Sequence, residues 1–220
     1  EFYFQVRAFL NICERIDEHY RIYSELLEDG SFQVRLFCVN PIRNLGECLE
    51  QARSTVFFSA TLLPLRYYRL LLSDAPEDYT VYVNSPFSRE NRLILAAGDV
   101  TSRYARRNEQ EYRKVLSYIR AAARARRGNY MVFFPSYQYL EQVLALAEEE
   151  APELEILVQD SRMTEEKRED FLREFEKKRD RSLAAFCVMG GSFSEGIDLK
   201  EDRLIGAIVV GTGLPMVCTE

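Results

Sequence analysis

The stretch Phe186 to Asp198, FCVMGGSFSEGID, holds the residues best suited to chemistry in this chain. An apolar, strand-like run ends in Gly190 and Gly191 and continues through Ser192, Ser194 and Glu195 to Gly196 and Asp198. Glycine lacks Cβ, so the backbone there can adopt positive φ and approach a ligand closely. Successive N–H groups in such a turn can form an anion-binding nest, and the serine hydroxyls add donors. Glu195 and Asp198 repel phosphate and are better matched to a hydroxyl, a metal-bound water or a basic group. The residues alone imply a loop able to hold a phosphate; a plain tight turn is the competing reading.

Two further polar segments follow apolar runs. Ser59-Ala60-Thr61 closes the β-rich run Ser54 to Phe58, and Pro135-Ser136-Tyr137 follows Tyr130 to Phe134. Ser136 sits where a strand meets a helix, so it can cap that helix, and its hydroxyl with the first helical N–H groups can hold a backbone phosphate. Tyr137 can stack on a base or pack at the surface. Ser59 and Thr61 are capping residue types ahead of a helix expected over 64–73.

The elements that must position these loops are readable from periodicity. Residues 1–28 show apolar steps of three and four, which predicts a helix stopped at Asp29-Gly30. A strand is expected at 33–39 and a helix at 44–52, with short strands at 80–83 and 92–96 around a Pro-containing linker. A long basic helix follows at 103–127. Beyond it, strands at 130–134, 155–158, 183–189 and 205–210 alternate with helices at 136–150 and 164–178. Apolar strands without alternation, separated by amphipathic helices, predict an α/β fold with a parallel sheet covered on both faces. Ligands in such folds bind beyond the carboxyl ends of the strands, where the Ser136 and Gly190–Asp198 loops fall, as does Ser59-Ala60-Thr61 in the preceding segment.

Composition narrows the function classes. The 220 residues are 47% hydrophobic with a net charge of −6, which argues against a wholly basic nucleic-acid binder. That average hides a local contrast. Residues 103–127 carry Arg103, Arg106, Arg107, Arg113, Lys114, Arg120, Arg124, Arg126 and Arg127, while 141–155 is acidic. Arg113, Arg120, Arg124 and Arg127 share one helix edge, which reads either as a phosphate track or, more commonly, as a solvated flank. The five cysteines form no CxxC pattern and there is one histidine, His19, so no zinc site is legible. Reduced thiols in a cytoplasmic, nucleoid-associated protein are the expectation, with no membrane contact. Cys38 and Cys187, inside apolar runs, are expected to be buried.

Taken in order, the segments resemble the XPD/DinG-type DNA helicases of superfamily 2. STVFFSATL (54–62) resembles that family's motif III, NYMVFFPSY (129–137) its motif IV, and FCVMGGSFSEGIDL (186–199) with RLIGAIVVGTGLP (203–215) its motif V and the following strand. SPFSREN (85–91) and the Arg-Tyr-x-x-Arg pattern at 103–107 fit the DinG-like branch. The resemblance implies two RecA-like motor domains with nucleotide between them and single-stranded nucleic acid across their top. Residues 1–75 would be the tail of the first domain and the end of an arch insertion. Residues 76–220 would be most of the second, truncated before motif VI. Ser59, Ala60 and Thr61 would couple nucleotide state to grip. Ser136, Tyr137, Gly190, Gly191 and Ser192 would bind nucleic acid, and Glu195, Gly196 and Asp198 would face the ATP cleft. No GxxxxGK[ST] loop or Asp-Glu-x-His stretch occurs here.

The resemblance therefore implies that ATP with magnesium, and the family's four-cysteine iron–sulfur cluster, are held by a missing preceding part, and that this segment alone is inactive. The implied partners are single-stranded DNA, DNA junctions and the missing first domain, in a DNA-repair setting with 5′-to-3′ travel. Two rival functions stand beside it: a non-catalytic, motor-derived nucleic-acid-binding module, and a nucleotide- or sugar-phosphate-binding α/β enzyme with a closed pocket.

Overall fold

The computed structural model describes residues 1–27, 29–73 and 75–213. Cys218 and the end of the RLIGAIVVGTGLP stretch lie outside them. The chain divides into two compact units, Glu1–Arg92 and Leu93–Glu220.

In the first unit, helix α1 (Phe2–Cys13) is followed by strands β1 (Tyr20–Leu26) and β2 (Phe32–Cys38), then by helices α2 (Ile42–Leu49) and α3 (Leu65–Leu72). β1 and β2 form an antiparallel hairpin running from Tyr20 opposite Cys38 to Leu26 opposite Phe32. This corrects the single helix expected over 1–28. Asp29-Gly30 is a hairpin signal rather than a helix stop: Gly30 has φ +81° and the Asp29 carboxylate accepts from the Ser31 N–H at 2.9 Å. Cys38 lies in β2 but is only half-buried. Residues 54–58, expected as a strand, pair with nothing among the described residues, and Val56 and Phe58 are exposed. The same holds for 80–83 and 92–96. β-Branched and aromatic residues favour a pleated, half-buried surface, and without a neighbouring ladder they do not make a strand.

The second unit is a four-stranded, wholly parallel sheet flanked by helices, in agreement with the expected α/β class. Its order is β4 (Leu154–Val158), β5 (Ser182–Val188), β3 (Asn129–Phe134), β6 (Gly206–Val209). Helices α4 (Glu109–Ala125), α5 (Tyr137–Glu150) and α6 (Glu165–Arg173) connect and cover it. Alternation within each strand divides the core in two. Tyr130, Val132, Phe134, Ala184, Phe186 and Val188 face Leu116 and Ile119 of α4 and Leu140 and Val143 of α5. On the other face, Met131, Leu183, Ala185 and Cys187 pack with Phe171, Phe175 and Phe193. Cys187 is fully buried, and burial pushes its thiol up to about 12.

Local chemistry sets the helix ends. Asn108, Ser136 and Thr164 each accept a backbone N–H into their side chain at the start of α4, α5 and α6. The basic helix therefore begins at Glu109 instead of 103, after a 3₁₀ turn at Tyr104–Arg106. α6 tightens into a 3₁₀ turn at Glu174–Glu176 rather than running to 178. The Arg179 guanidinium closes that end, donating to the Glu174 carbonyl and pairing with the Glu174 and Glu155 carboxylates at 2.6 and 2.8 Å.

Candidate nucleic-acid interface

Because all four strands run parallel, their carboxyl ends and the loops leaving them lie on one edge of the sheet. β3 leads to Ser136, β5 to the Gly190–Asp198 loop, and β4 to Gln159–Thr164.

Ser136 is the N-cap of α5, its hydroxyl accepting the Tyr139 N–H at 3.2 Å. A hydroxyl that accepts still has its own O–H to donate, so capping leaves one donor free. Tyr137 is half-buried, and burial pushes its phenol up. Its hydroxyl is tethered inward: it receives a bond from Gln159 Nε2 at 3.0 Å and donates to the Asp160 carbonyl at 3.4 Å. Tyr139 is buried in the core, edge-on to Tyr112 at 4.9 Å, and offers no surface.

The β5 loop is a folded structure in its own right. Gly190 has φ +74° and Gly196 φ +70°, a region that side-chain-bearing residues rarely occupy. The Gly191 N–H donates to the Val188 carbonyl at 3.0 Å, and the Ser194 N–H to the Gly191 carbonyl at 3.0 Å. Phe193 turns inward, 1% exposed, and stacks on Phe171 at 4.2 Å. Ser192 and Glu195 are left facing solvent, while exposed Ser194 directs its hydroxyl to the Val188 carbonyl at 3.5 Å. The N–H groups of Gly190 and Ser192 make no hydrogen bond among the described residues, so they remain available to an anion. Asp198 is exposed and pairs with Lys200 at 3.0 Å.

Two residues that sequence reasoning missed complete the edge. Gln159 is 3% exposed and bridges the β4 end to both neighbouring loops. Arg168 of α6 donates to the Gly196 carbonyl at 3.2 Å, and its Nε is buried without a partner. Neither carries a local signal: a glutamine after Val158 and an arginine on a charged helix acquire meaning only from long-range contacts.

Ser59, Ala60 and Thr61 lie in the first unit and are exposed. The Ser59 and Thr61 hydroxyls are 3.1 Å apart, and the Thr61 N–H donates to Ser59 Oγ. Pro64 is the residue before α3 and no side chain caps that helix, so the capping alternative is removed. Among the described residues no group of three or more His, Cys, Asp or Glu side chains could hold a metal ion. No helix among them is long and apolar enough to cross a membrane.

The arginine edge of α4 is occupied. Arg113 pairs with Glu109 and Glu150 at 2.5 and 2.8 Å, and Arg120 and Arg124 share Glu153 at 2.7 and 2.9 Å. Arg127 donates to the Asp180 carbonyl. The acidic stretch thus neutralises the helix, which is a charged flank and not an open phosphate track. The hydrogen bond from Arg120, more than any other contact, holds the Glu153 carboxyl down at about 2. A carboxyl depressed in the folded state contributes stability that is complete above its unfolded value near 4.5 and is lost as pH falls towards 2. Glu153→Gln should therefore cost about 1 kcal/mol at pH 7, the upper end for such pairs. Urea unfolding should show that gap closing between pH 4.5 and 2. A gap unchanged across that window would exclude the ion pair as its source.

Residues 119–219 match the helicase C-terminal domain family. The ATP-dependent DNA helicase chl1 of Neosartorya fischeri is 24% identical over 209 residues, covering 84% of this chain and 24% of its own length. The enzyme of the same name from Aspergillus niger is 25% identical over 239 residues, covering 97% and 27%. An apo XPD chain among solved structures superposes with a TM-score of 0.41 at 21% identity, over 54% of this chain and 23% of that one. The chain spans about a quarter of the length of the curated relatives it matches. The family match across β3 to β6 and the relatives along most of the chain agree: residues 119–219 are similar to a helicase C-terminal domain, and most of the chain is similar to ATP-dependent DNA helicases.

Proposed function

We infer that the chain is part of an ATP-dependent DNA helicase that moves 5′ to 3′ on single-stranded DNA. Residues 76–220 serve as the second RecA-like motor domain and 1–75 as the tail of the first and the end of its arch insertion. The Ser136 and Gly190–Ser192 loops grip the DNA backbone, and Tyr137 lends an aromatic edge. Glu195, Gly196 and Asp198 face the nucleotide cleft, while Ser59, Ala60 and Thr61 couple the two motor domains. ATP, magnesium and any iron–sulfur cluster are held by a preceding part of the protein, so this segment alone does not hydrolyse ATP.

The observation that carries this reading is the convergence on one sheet edge of a capped helix start with a spare hydroxyl donor and a glycine turn with free N–H groups. Such groups suit phosphate and carry no sequence preference. An open recess of about 540 Å³ is lined by residues between Gly98 and Lys114 and by none of the strand-end loop residues, so it does not supply the closed pocket at the glycine loop that a small-molecule enzyme would need.

Ser136→Asp separates capping from grip. Aspartate caps helices as well as serine does, so melting should be unchanged. Its carboxylate meets the phosphate, so affinity for an oligo-dT strand should fall about tenfold, roughly 1.4 kcal/mol. Fluorescence anisotropy across a salt series reads both the affinity and the counterion slope. Wild-type affinity in Ser136→Asp would remove Ser136 from the interface.

A further inference from the structure

Gln159 joins the ends of β4 and β5 to the start of α5 through a single buried side chain. Its own N–H donates to the Phe186 carbonyl at 2.9 Å, extending the β4–β5 ladder by one step. Its Oε1 accepts the Val188 N–H at 3.0 Å, where β5 turns into the glycine loop. Its Nε2 donates to the Tyr137 hydroxyl at 3.0 Å, at the first residue of α5. A backbone N–H can only donate, so the bond from Val188 fixes which side of the amide carries oxygen and turns the NH₂ towards Tyr137. Both ends of the side chain are therefore spoken for, and its geometry is set.

The amide also shapes the glycine turn. A Cβ built on Gly191 would lie 2.6 Å from Gln159 Nε2 and 3.0 Å from the Val188 carbonyl oxygen. Gly191 thus rests against Gln159, and the turn can be this tight only because glycine meets the amide face. A glutamine placed here for packing alone would leave buried donors and acceptors to be satisfied, which an apolar residue of similar volume avoids. The polar choice is explained if the two loops must keep a fixed relation.

We propose that Gln159 is a positioning residue that locks the Ser136–Tyr137 loop and the Gly190–Ser192 loop into one phosphate-binding unit, so that the two grip adjacent backbone phosphates of a single strand together. This rests on the reading of those loops as the DNA grip. Gln159 itself need not touch DNA: it is buried and acts through Tyr137, Val188 and Gly191.

The test uses the 220-residue chain, an oligo-dT probe, anisotropy over a salt series, and thermal melting in parallel. Gln159→Leu, close in volume and without the amide, should bind five- to tenfold more weakly while still folded. The slope of log affinity against log salt should stay near the wild-type value, because the loops hold phosphate through neutral N–H and hydroxyl donors and counterion release needs a cationic partner. Tyr137→Phe removes one of the two side-chain bonds from a half-buried site and should give a smaller loss in the same direction. The double variant should be no weaker than Gln159→Leu, because both act through one connection. A purely structural role would lower the melting temperature and leave the affinity of the folded protein unchanged, and that result overturns the proposal. If Gln159→Leu does not fold, Tyr137→Phe decides: wild-type affinity there overturns it. Ser136→Asp losing affinity while Gln159→Leu and Tyr137→Phe do not would sink the role of Gln159 and leave the grip reading standing. A wild-type chain without salt-dependent strand binding would sink both.

Discussion

Gly191→Val should reduce affinity for single-stranded DNA by at least about tenfold, or 1.4 kcal/mol, the largest binding loss expected from any single loop substitution. Even the first added carbon meets Gln159 Nε2 at 2.6 Å and the Val188 carbonyl at 3.0 Å. A terminal amide is ordinarily an easy neighbour to displace, but this one is held at both ends by hydrogen bonds to Val188 and Tyr137. The carbonyl is backbone and closes the same turn through the Gly191 N–H. Valine's two γ-carbons extend the conflict, so the turn must open and the Gly190 and Ser192 N–H groups are displaced. Gly191→Ala should show a weaker form of the same effect. Anisotropy titration with the oligo-dT probe checks both, with melting recorded to confirm a folded protein. Binding in Gly191→Val equal to wild type at every salt concentration would remove the glycine turn from the interface.

What made this edge readable in advance, and what hid part of it, follows from where the information lies. The strands of the parallel sheet are buried on both faces, so each appears as a short continuous apolar run, and the helices between them carry a periodic stripe. Ser136 announced itself because a capping residue between an apolar run and a periodic segment has few other uses. The hairpin at Tyr20–Cys38 was misread because Ile16, Tyr20, Tyr23 and Leu27 fall at helical spacing, although the segment pairs as alternating strands about Asp29-Gly30. Gln159 was invisible for a different reason. Its hydrogen bonds span 22 and 29 residues, and no local pattern encodes them. The arginine edge and the acidic stretch were both legible as charge, yet their mutual neutralisation depended on α4 and α5 packing side by side.

The loop's inner face carries the second large effect. Phe193→Ala should destabilise the second unit by about 3–5 kcal/mol, the cost of emptying a fully buried phenylalanine site. Phe193 is 1% exposed, stacks on Phe171 at 4.2 Å, and shares its cluster with Phe175 and Cys187. Removing the ring leaves a cavity between α6 and the sheet that the surrounding strands cannot close, and Phe171 loses its stacking partner as well. Thermal or urea unfolding of the 220-residue chain should register the full change, with a melting shift of roughly 10 °C or more. Affinity for DNA should fall too, but by a different route from Gly191→Val. The turn at Gly190–Gly191 keeps its hydrogen bonds to β5, while Ser192 and Ser194 on either side lose the anchor that holds them in place. Phe193→Leu, which refills most of the volume, should recover most of the stability and most of the binding. If Phe193→Ala melts like the wild type, the ring is not the anchor of this loop. If Phe193→Leu restores stability without restoring binding, then the stack on Phe171, and not volume alone, sets the loop's geometry.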